Sequence, residues 1–332
     1  MSESVAVARA AARAGPADQA RFAALEPRRK LQLALALVWL LDGILQFQPW
    51  MFSKAFPQML ADSAQGNPAV LAAPITWSAG LIGHHLTVLN ALFATIQVAL
   101  GLGIACRASV KYALGASVAW SLGVWWFGEG FGGVLAGTAS PVNGAPGAVI
   151  LYALLAVLLW PADTDPADTD PGAPFVAGRA VGRRPARALW LVLWGSLAFF
   201  SLTPASRAPQ AISGTISAMA AGEPSWLAWI DSHAASALAH QGLAASIVLA
   251  AAFGIIAAGI YASARSVIIA ALVMTVALWL AQGLGGIFTG MGTDVESAPL
   301  LALIALAFWP SATAAEAASA TASATASEAG AA

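Results

Sequence analysis

Eight apolar segments, each long enough to form a helix, dominate the sequence. Crossing a bilayer takes roughly 17–25 mostly apolar residues, because lipid offers exposed backbone groups no hydrogen-bond partner. The chain is 59% hydrophobic and 9% charged, more apolar than one or two soluble domains can bury. The segments lie at about 31–47, 81–105, 111–128, 146–160, 188–203, 238–260, 266–283 and 297–309. We therefore predict an all-α integral membrane protein with eight transmembrane helices.

Basic residues fall mainly on one side of this topology, which orients the chain because cationic loops stay in the cytoplasm. Of the fifteen Lys and Arg residues, Lys54 and Arg207 alone lie on the predicted outer side. The inner ones are Arg9, Arg13, Arg21, Arg28, Arg29, Lys30, Arg107, Lys111, Arg179, Arg183, Arg184, Arg187 and Arg265. We predict a multi-pass protein of the bacterial inner (plasma) membrane, with both termini cytoplasmic. The bilayer is its expected partner, and the pattern does not indicate nucleic-acid binding.

Two stretches of the chain resemble each other. WFGEGFGGVLAG at 126–137 matches WLAQGLGGIFTG at 279–290, and GNP at 66–68 matches GEP at 222–224. This pattern predicts two parallel four-helix repeats. The predicted organisation is a cytoplasmic N-terminal segment (1–30), a first repeat (31–160), a cytoplasmic linker (161–187), a second repeat (188–310) and a disordered cytoplasmic tail (311–332).

Gly128, Gly130 and Gly133 have the G-x-G-x-x-G spacing of dinucleotide-binding loops. That motif requires a preceding strand, whereas these glycines end a predicted transmembrane helix. Residue 281, which matches Gly128, is an alanine. We interpret the glycines as a site of close backbone packing or a tight re-entrant turn.

Asp42 is the carboxylate predicted deepest in the membrane, ~17 Å into a core of about 30 Å. An ionisable group there indicates a proton, cation or ligand site, with Gln46 one turn further along the same face. The alternative is a protonated carboxyl that packs against a neighbouring helix.

A polar stripe on the second helix consists of Thr87, Asn90 and Gln97, interleaved with Ala94 and Gly101. It should face the bundle interior, where it either joins helices or meets Asp42 as part of a ligand site.

His84 and His85 begin the second helix near the outer surface, and Glu129 ends the third at similar depth. These side chains suggest a metal site or proton exchange with a quinone headgroup; solvation by lipid headgroups is the alternative. The second repeat aligns Leu197, Ala245, Ala252 and Gln282 with Asp42, Asn90, Gln97 and Glu129. We therefore expect any site mainly in the first repeat, with the second as scaffold.

The stretches LLDGILQFQPWMF (40–52) and QVALGLGIACR (97–107) resemble the DoxX-like membrane family, here as two fused copies. The resemblance implies a small membrane subunit associated with quinone-linked redox systems, and it carries over no catalytic residues. We expect a non-catalytic membrane subunit or accessory protein that binds a quinone or other small apolar ligand, beside a possible membrane redox partner subunit. The alternatives are a proton-coupled transporter of a small solute or ion, and a metal-handling protein at the outer face.

Overall fold

The computed structural model describes residues 25–161, 175–262 and 265–310. Within these ranges the chain forms fourteen α-helices and no strand, which confirms the all-α prediction. The first half contains α1 Pro27–Leu45, α2 Ala55–Asp62, α3 Ala69–His84, α4 Leu86–Ala105, α5 Val110–Phe127 and α6 Ala148–Leu158. The rest contains α7 Val176–Val181, α8 Arg183–Ser201, α9 Pro204–Arg207, α10 Ala211–Met219, α11 Ser225–Ala237, α12 Gly242–Gly259, α13 Arg265–Ala281 and α14 Ser297–Ala307. The predicted disordered tail, residues 1–24 and linker residues 162–174 lie outside the described residues.

A helix lies over each of the eight predicted apolar segments. Among the described residues, two helical stretches, Leu86–Ala105 and Gly242–Ala262, are long and apolar enough to cross a membrane. The second predicted segment is divided, because α3 ends at His84 and α4 begins at Leu86. The fourth and eighth segments form helices of 11 residues each, about 16 Å long at 1.5 Å per residue.

Helices α1 and α4 pack antiparallel along most of their length. At one end, the Arg29 guanidinium donates to the carbonyl oxygens of Ile104 (2.9 Å) and Ala105, which satisfies carbonyls at the end of α4. In the middle, Gly101 allows close approach, because a Cβ there would lie 2.9 Å from the Ala36 carbonyl oxygen. From the same end of α1, Gln32 donates to the Leu159 carbonyl oxygen at 2.9 Å and so holds the end of α6.

The short helices α6 and α14 pack against each other and form the centre of the molecule. Their inward residues, including Tyr152, Leu155, Leu301 and Ile304, are buried in a single apolar core that both halves share. In the second half, α8 packs on α12 through two buried tryptophans. The Trp190 indole donates to the Ile256 carbonyl oxygen at 2.9 Å, and Trp194 packs against Phe253.

The two glycine-rich stretches adopt the same backbone conformation. Positive φ angles occur at residues 130–133 and 137, and again at 283–286 and 290. At Gly132 (φ 60°) a Cβ would collide with the Pro146 carbonyl group, and at Gly285 (φ 72°) it would meet Val295. The interpretation as a tight turn with close backbone packing is therefore confirmed.

Candidate functional site

A cavity of about 440 Å³ lies in the first half of the molecule, among α1–α6. Its wall is mainly apolar and aromatic, and its four ionisable side chains, Asp42, Glu129, Tyr152 and Asp294, lie near one another. The outer end reaches the surface at Met59, Trp77 and Leu81, which are 39%, 66% and 40% exposed. The lining residues are Trp39, Asp42, Gln46, Met51, Phe56, Met59, Leu60, Trp77, Ser78, Leu81, Ile82, Leu89, Phe93, Gln97, Ala119, Trp120, Gly123, Val124, Phe127, Gly128, Glu129, Val149, Tyr152, Thr293 and Asp294.

Asp42 lies at the buried end of this cavity and is 2% exposed. The Tyr152 hydroxyl, on α6, donates a hydrogen bond to Asp42 Oδ2, whereas Oδ1 has no hydrogen-bond partner. Tyr152 also packs its ring on Trp39, with centroids 4.2 Å apart. Sequence analysis identified Asp42 but missed Tyr152; a lone tyrosine in the otherwise apolar stretch VILYALLAVL was the available signal.

Gln46 and Asn90 form a separate pair beside the cavity. The Gln46 side-chain amide donates to Asn90 Oδ1 at 2.5 Å, and the Asn90 amide donates to the Gln46 carbonyl oxygen at 2.9 Å. Asn90 therefore joins α4 to α1, as the packing alternative predicted, and does not bond Asp42. Thr87 is exposed, because α1 ends at Leu45 and leaves the first turn of α4 uncovered. The predicted stripe is thus only partly internal.

Gln97 and Glu129 both face the cavity, and each has a buried oxygen without a hydrogen-bond partner, Oε1 and Oε2 respectively. Glu129 Oε1 accepts from the Val149 backbone N–H at 3.0 Å. Burial raises the pKa of Glu129 well above its ordinary value, the nearby Asp294 raises it further, and the bond from Val149 opposes both. Glu129 therefore favours the protonated form unless a positive charge lies near it.

Asp294 enters the cavity from the other half of the chain, on the loop 287–296 between α13 and α14. Its Oδ1 accepts from the Glu296 N–H at 2.6 Å, and burial raises its pKa. Glu296, beside it, has its pKa raised to about 8 by burial and by Asp294. The cavity is lined mainly by residues of the first half, and this loop adds a carboxylate from the second half.

At the place in the second half that the sequence alignment pairs with this cavity, an apolar side chain from the first half packs into the core. Val142, on the loop 134–147 of the first half, packs there against Ile212, Ile216 and Ala235. These residues match Phe56, Leu60 and Ala79, which pack together beside the cavity in the first half. For α12 the two prolines that precede α3 and α11 suggest a register one residue away from the alignment above. Pro68 and Pro224 both precede a helix, and this register pairs Asn90 with Ser246 and Gln97 with Phe253.

The predicted metal ligands are not brought together. His84 and His85 are exposed at the junction of α3 and α4 and do not line the cavity, whereas Glu129 does. Residues 25–161, 175–262 and 265–310 contain no group of three His, Cys, Asp or Glu side chains placed to hold a metal ion. Both histidines are exposed where the helical backbone breaks at His85.

Comparison of the chain with protein-family models, with curated proteins and with solved structures found no match.

Proposed function

We propose that the chain is a multi-pass protein of the bacterial inner membrane with eight spans. Its longest apolar helices support this assignment, because only 28% of the 18-residue apolar stretch in each of α4 and α12 is buried inside the protein. Their outer faces present large apolar side chains, such as Val88, Leu92, Ile247, Val248 and Ile255. Surfaces of this kind are rare on soluble monomers and suit contact with lipid.

The arrangement of basic residues supports an orientation with both termini in the cytoplasm. Arg29 lies near Arg107, and Arg28 lies near Arg179, so cations from the start of α1, the end of α4 and the segment before α8 share one end of the bundle. Cationic clusters of this kind remain on the cytoplasmic side and contact anionic headgroups.

We also propose that the halves are parallel repeats, and that the protein is a DoxX-like accessory subunit. The repeated run of left-handed residues supports the duplication, since five positions match in each half. Phe131 and Leu284, which are not glycines, occupy the same position in the two runs, and residues with an L side chain rarely adopt a positive φ angle.

The observation that carries the functional proposal is the cavity. A volume of about 440 Å³, apolar walls and a few polar groups at one end are typical of a site for a small, largely apolar molecule with a polar head. Its outer end lies beside exposed Trp77 and Leu81, so such a ligand can enter from the lipid. A quinone or quinol has this chemistry, with its ring beside Asp42 and Tyr152 and its tail towards α3.

Filling the cavity from one side tests this function. A Cβ at Gly123, which lines the cavity, meets no atom within 4 Å, so Gly123→Leu places its side chain in open space. Gly254 on α12 is equally open but does not line the cavity, which makes Gly254→Leu the matched control. Both changes replace a helical glycine by the same residue.

In lipid nanodiscs, decylubiquinone should quench tryptophan fluorescence, since Trp39, Trp77 and Trp120 line the cavity. Gly123→Leu should weaken binding by about tenfold or more, whereas Gly254→Leu should leave it unchanged. If both variants bind decylubiquinone equally well, the quinone binds somewhere other than this cavity. If the unaltered protein binds no apolar ligand, the proposed function is wrong.

A further inference from the structure

The cavity is acidic without any compensating basic group. Asp42, Glu129 and Asp294 line it, and no Lys, Arg or His occurs among its lining residues, all of which the structure describes. Three carboxyl groups around one small apolar space repel each other when ionised, and burying them without a counter-ion is unfavourable. The electrostatics of the empty cavity therefore favour a positively charged occupant.

The hydrogen-bonding groups indicate the same preference. Asp42 Oδ1, Glu129 Oε2 and Gln97 Oε1 are buried acceptors without a donor, and the Trp120 indole N–H is the one such donor in the lining. The Asp42 side chain is almost completely buried, because only 2% of the residue is exposed. When the two carboxyl groups are ionised, a ligand with N–H groups supplies the donors that these buried oxygens lack, and a buried acceptor left without a donor is destabilising.

The side chains that line the cavity determine which kind of cation it can bind. A hydrated metal ion would face mostly aromatic and aliphatic side chains, and the described residues offer no group of three metal-binding side chains. Trp39, Trp77 and Trp120 instead line the cavity, and indole rings attract organic cations. The volume of about 440 Å³ accommodates an organic molecule of drug-like size.

We propose that the cavity binds a lipophilic organic ammonium ion, with its charged nitrogen among Asp42, Glu129 and Asp294 and its apolar part along the tryptophan-lined wall. This inference rests on the proposed function, because it names the ligand class of the same cavity. It also gives a role to Asp294, which places a carboxylate from the second half opposite Asp42.

A pair of ligands that differ only in charge tests the inference. 4-Phenylbutylamine is protonated at neutral pH, whereas 4-phenylbutanol has similar size and is neutral. Binding is measured by tryptophan fluorescence in phosphatidylcholine nanodiscs, whose neutral surface does not concentrate the amine. We expect the amine to bind about tenfold or more tightly than the alcohol.

Asp42→Asn and Glu129→Gln should each weaken amine binding by about tenfold and change alcohol binding by less than about twofold. Glu129→Gln keeps the acceptor for the Val149 N–H, so it remains informative if Asp42→Asn fails to fold. Asp62→Asn is the control, since Asp62 accepts bonds from Gln58 and Gln65 outside the cavity.

Equal affinity for amine and alcohol would overturn the inference, as would amine binding that neither variant weakens. Binding of decylubiquinone alone would overturn the inference and leave the proposed function standing. Binding of none of the three ligands would overturn both.

Discussion

In the first half of the molecule α1–α6 surround a cavity, whereas in the second half Val142 packs among α10–α13. The surrounding residues correspond closely, with Phe56 and Leu60 in one half and Ile212 and Ile216 in the other. The difference comes from the two crossing loops. One inserts an apolar side chain into its neighbour, and the other inserts Asp294. Similar backbones can thus provide a binding site or a closed core, depending on loops from the opposite half.

The largest effect is expected from moving a carboxyl group into the closed half. Leu197, the counterpart of Asp42, is fully buried, and Leu197→Asp should lower the free energy of unfolding by at least about 4 kcal/mol, because a buried carboxyl would lack partners. Leu197→Met should cost less than about 1.5 kcal/mol. Unfolding in mixed detergent micelles measures both. A stable, well-folded Leu197→Asp protein would show that the halves are interchangeable here.

Substitutions in the two glycine-rich turns, at residues 130–133 and 283–286, test whether the two halves are structurally similar there. Gly132→Ala and Gly285→Ala should each destabilise the protein by about 3 kcal/mol, because each adds a left-handed alanine and a collision with backbone. Gly137→Ala is the control: its φ is 73°, but no atom lies within 4 Å of the added carbon, so about 1–2 kcal/mol is expected. A large difference between Gly132→Ala and Gly285→Ala in thermal unfolding would break the comparison.

Val142→Ala should open a small space in the closed half. Val142 is 4% exposed, so removing two methyl groups should destabilise the protein by about 2 kcal/mol. Val157, which is 37% exposed, provides the control, and Val157→Ala should cost less than about 1 kcal/mol. If both variants melt at the same temperature, Val142 does not fill the second half in the way its contacts indicate.

The smallest effect is a pH dependence confined to the second half. Glu223 aligns with Asn67 of the first half. Its pKa is raised from 4.5 to about 7, mainly by burial and to a smaller extent by the nearby Asp231. Folded protein then holds a proton that unfolded protein releases between these values, so stability should fall as pH rises from about 4.5 to about 7. Glu223→Gln should flatten this part of the melting-temperature profile. An identical profile for the variant would assign the titration to another group.

Helices were predicted over all eight apolar segments from segment length and hydropathy, because a backbone in lipid must form its own hydrogen bonds. The structure has a helix over each of these segments. The sequence did not predict the break at His85 or the short helices within residues 48–80 and 204–237, the stretches predicted to lie outside, where no long apolar run marks a boundary. The eight spans and their orientation remain predictions, tested by labelling single cysteines in those stretches with an impermeant reagent.

Part of the candidate site was accessible from sequence, since Asp42, Gln46, Gln97 and Glu129 all line the cavity. Helical spacing groups residues on one helix, but it does not reveal which neighbouring helix faces them, so Tyr152 was missed. Asp294 was missed for a different reason. Its loop crosses from the other half, and alignment of two similar sequences cannot show such an exchange.

The crossing loops also bear on the order of assembly during synthesis. Asp42 is made early, whereas Asp294 emerges only after α13, near the end of the described chain. Domains of large proteins often fold as the ribosome delivers them, starting from the N-terminus. Here the N-terminal half lacks two residues of the cavity lining, Thr293 and Asp294, so the cavity is complete only after the two halves have met.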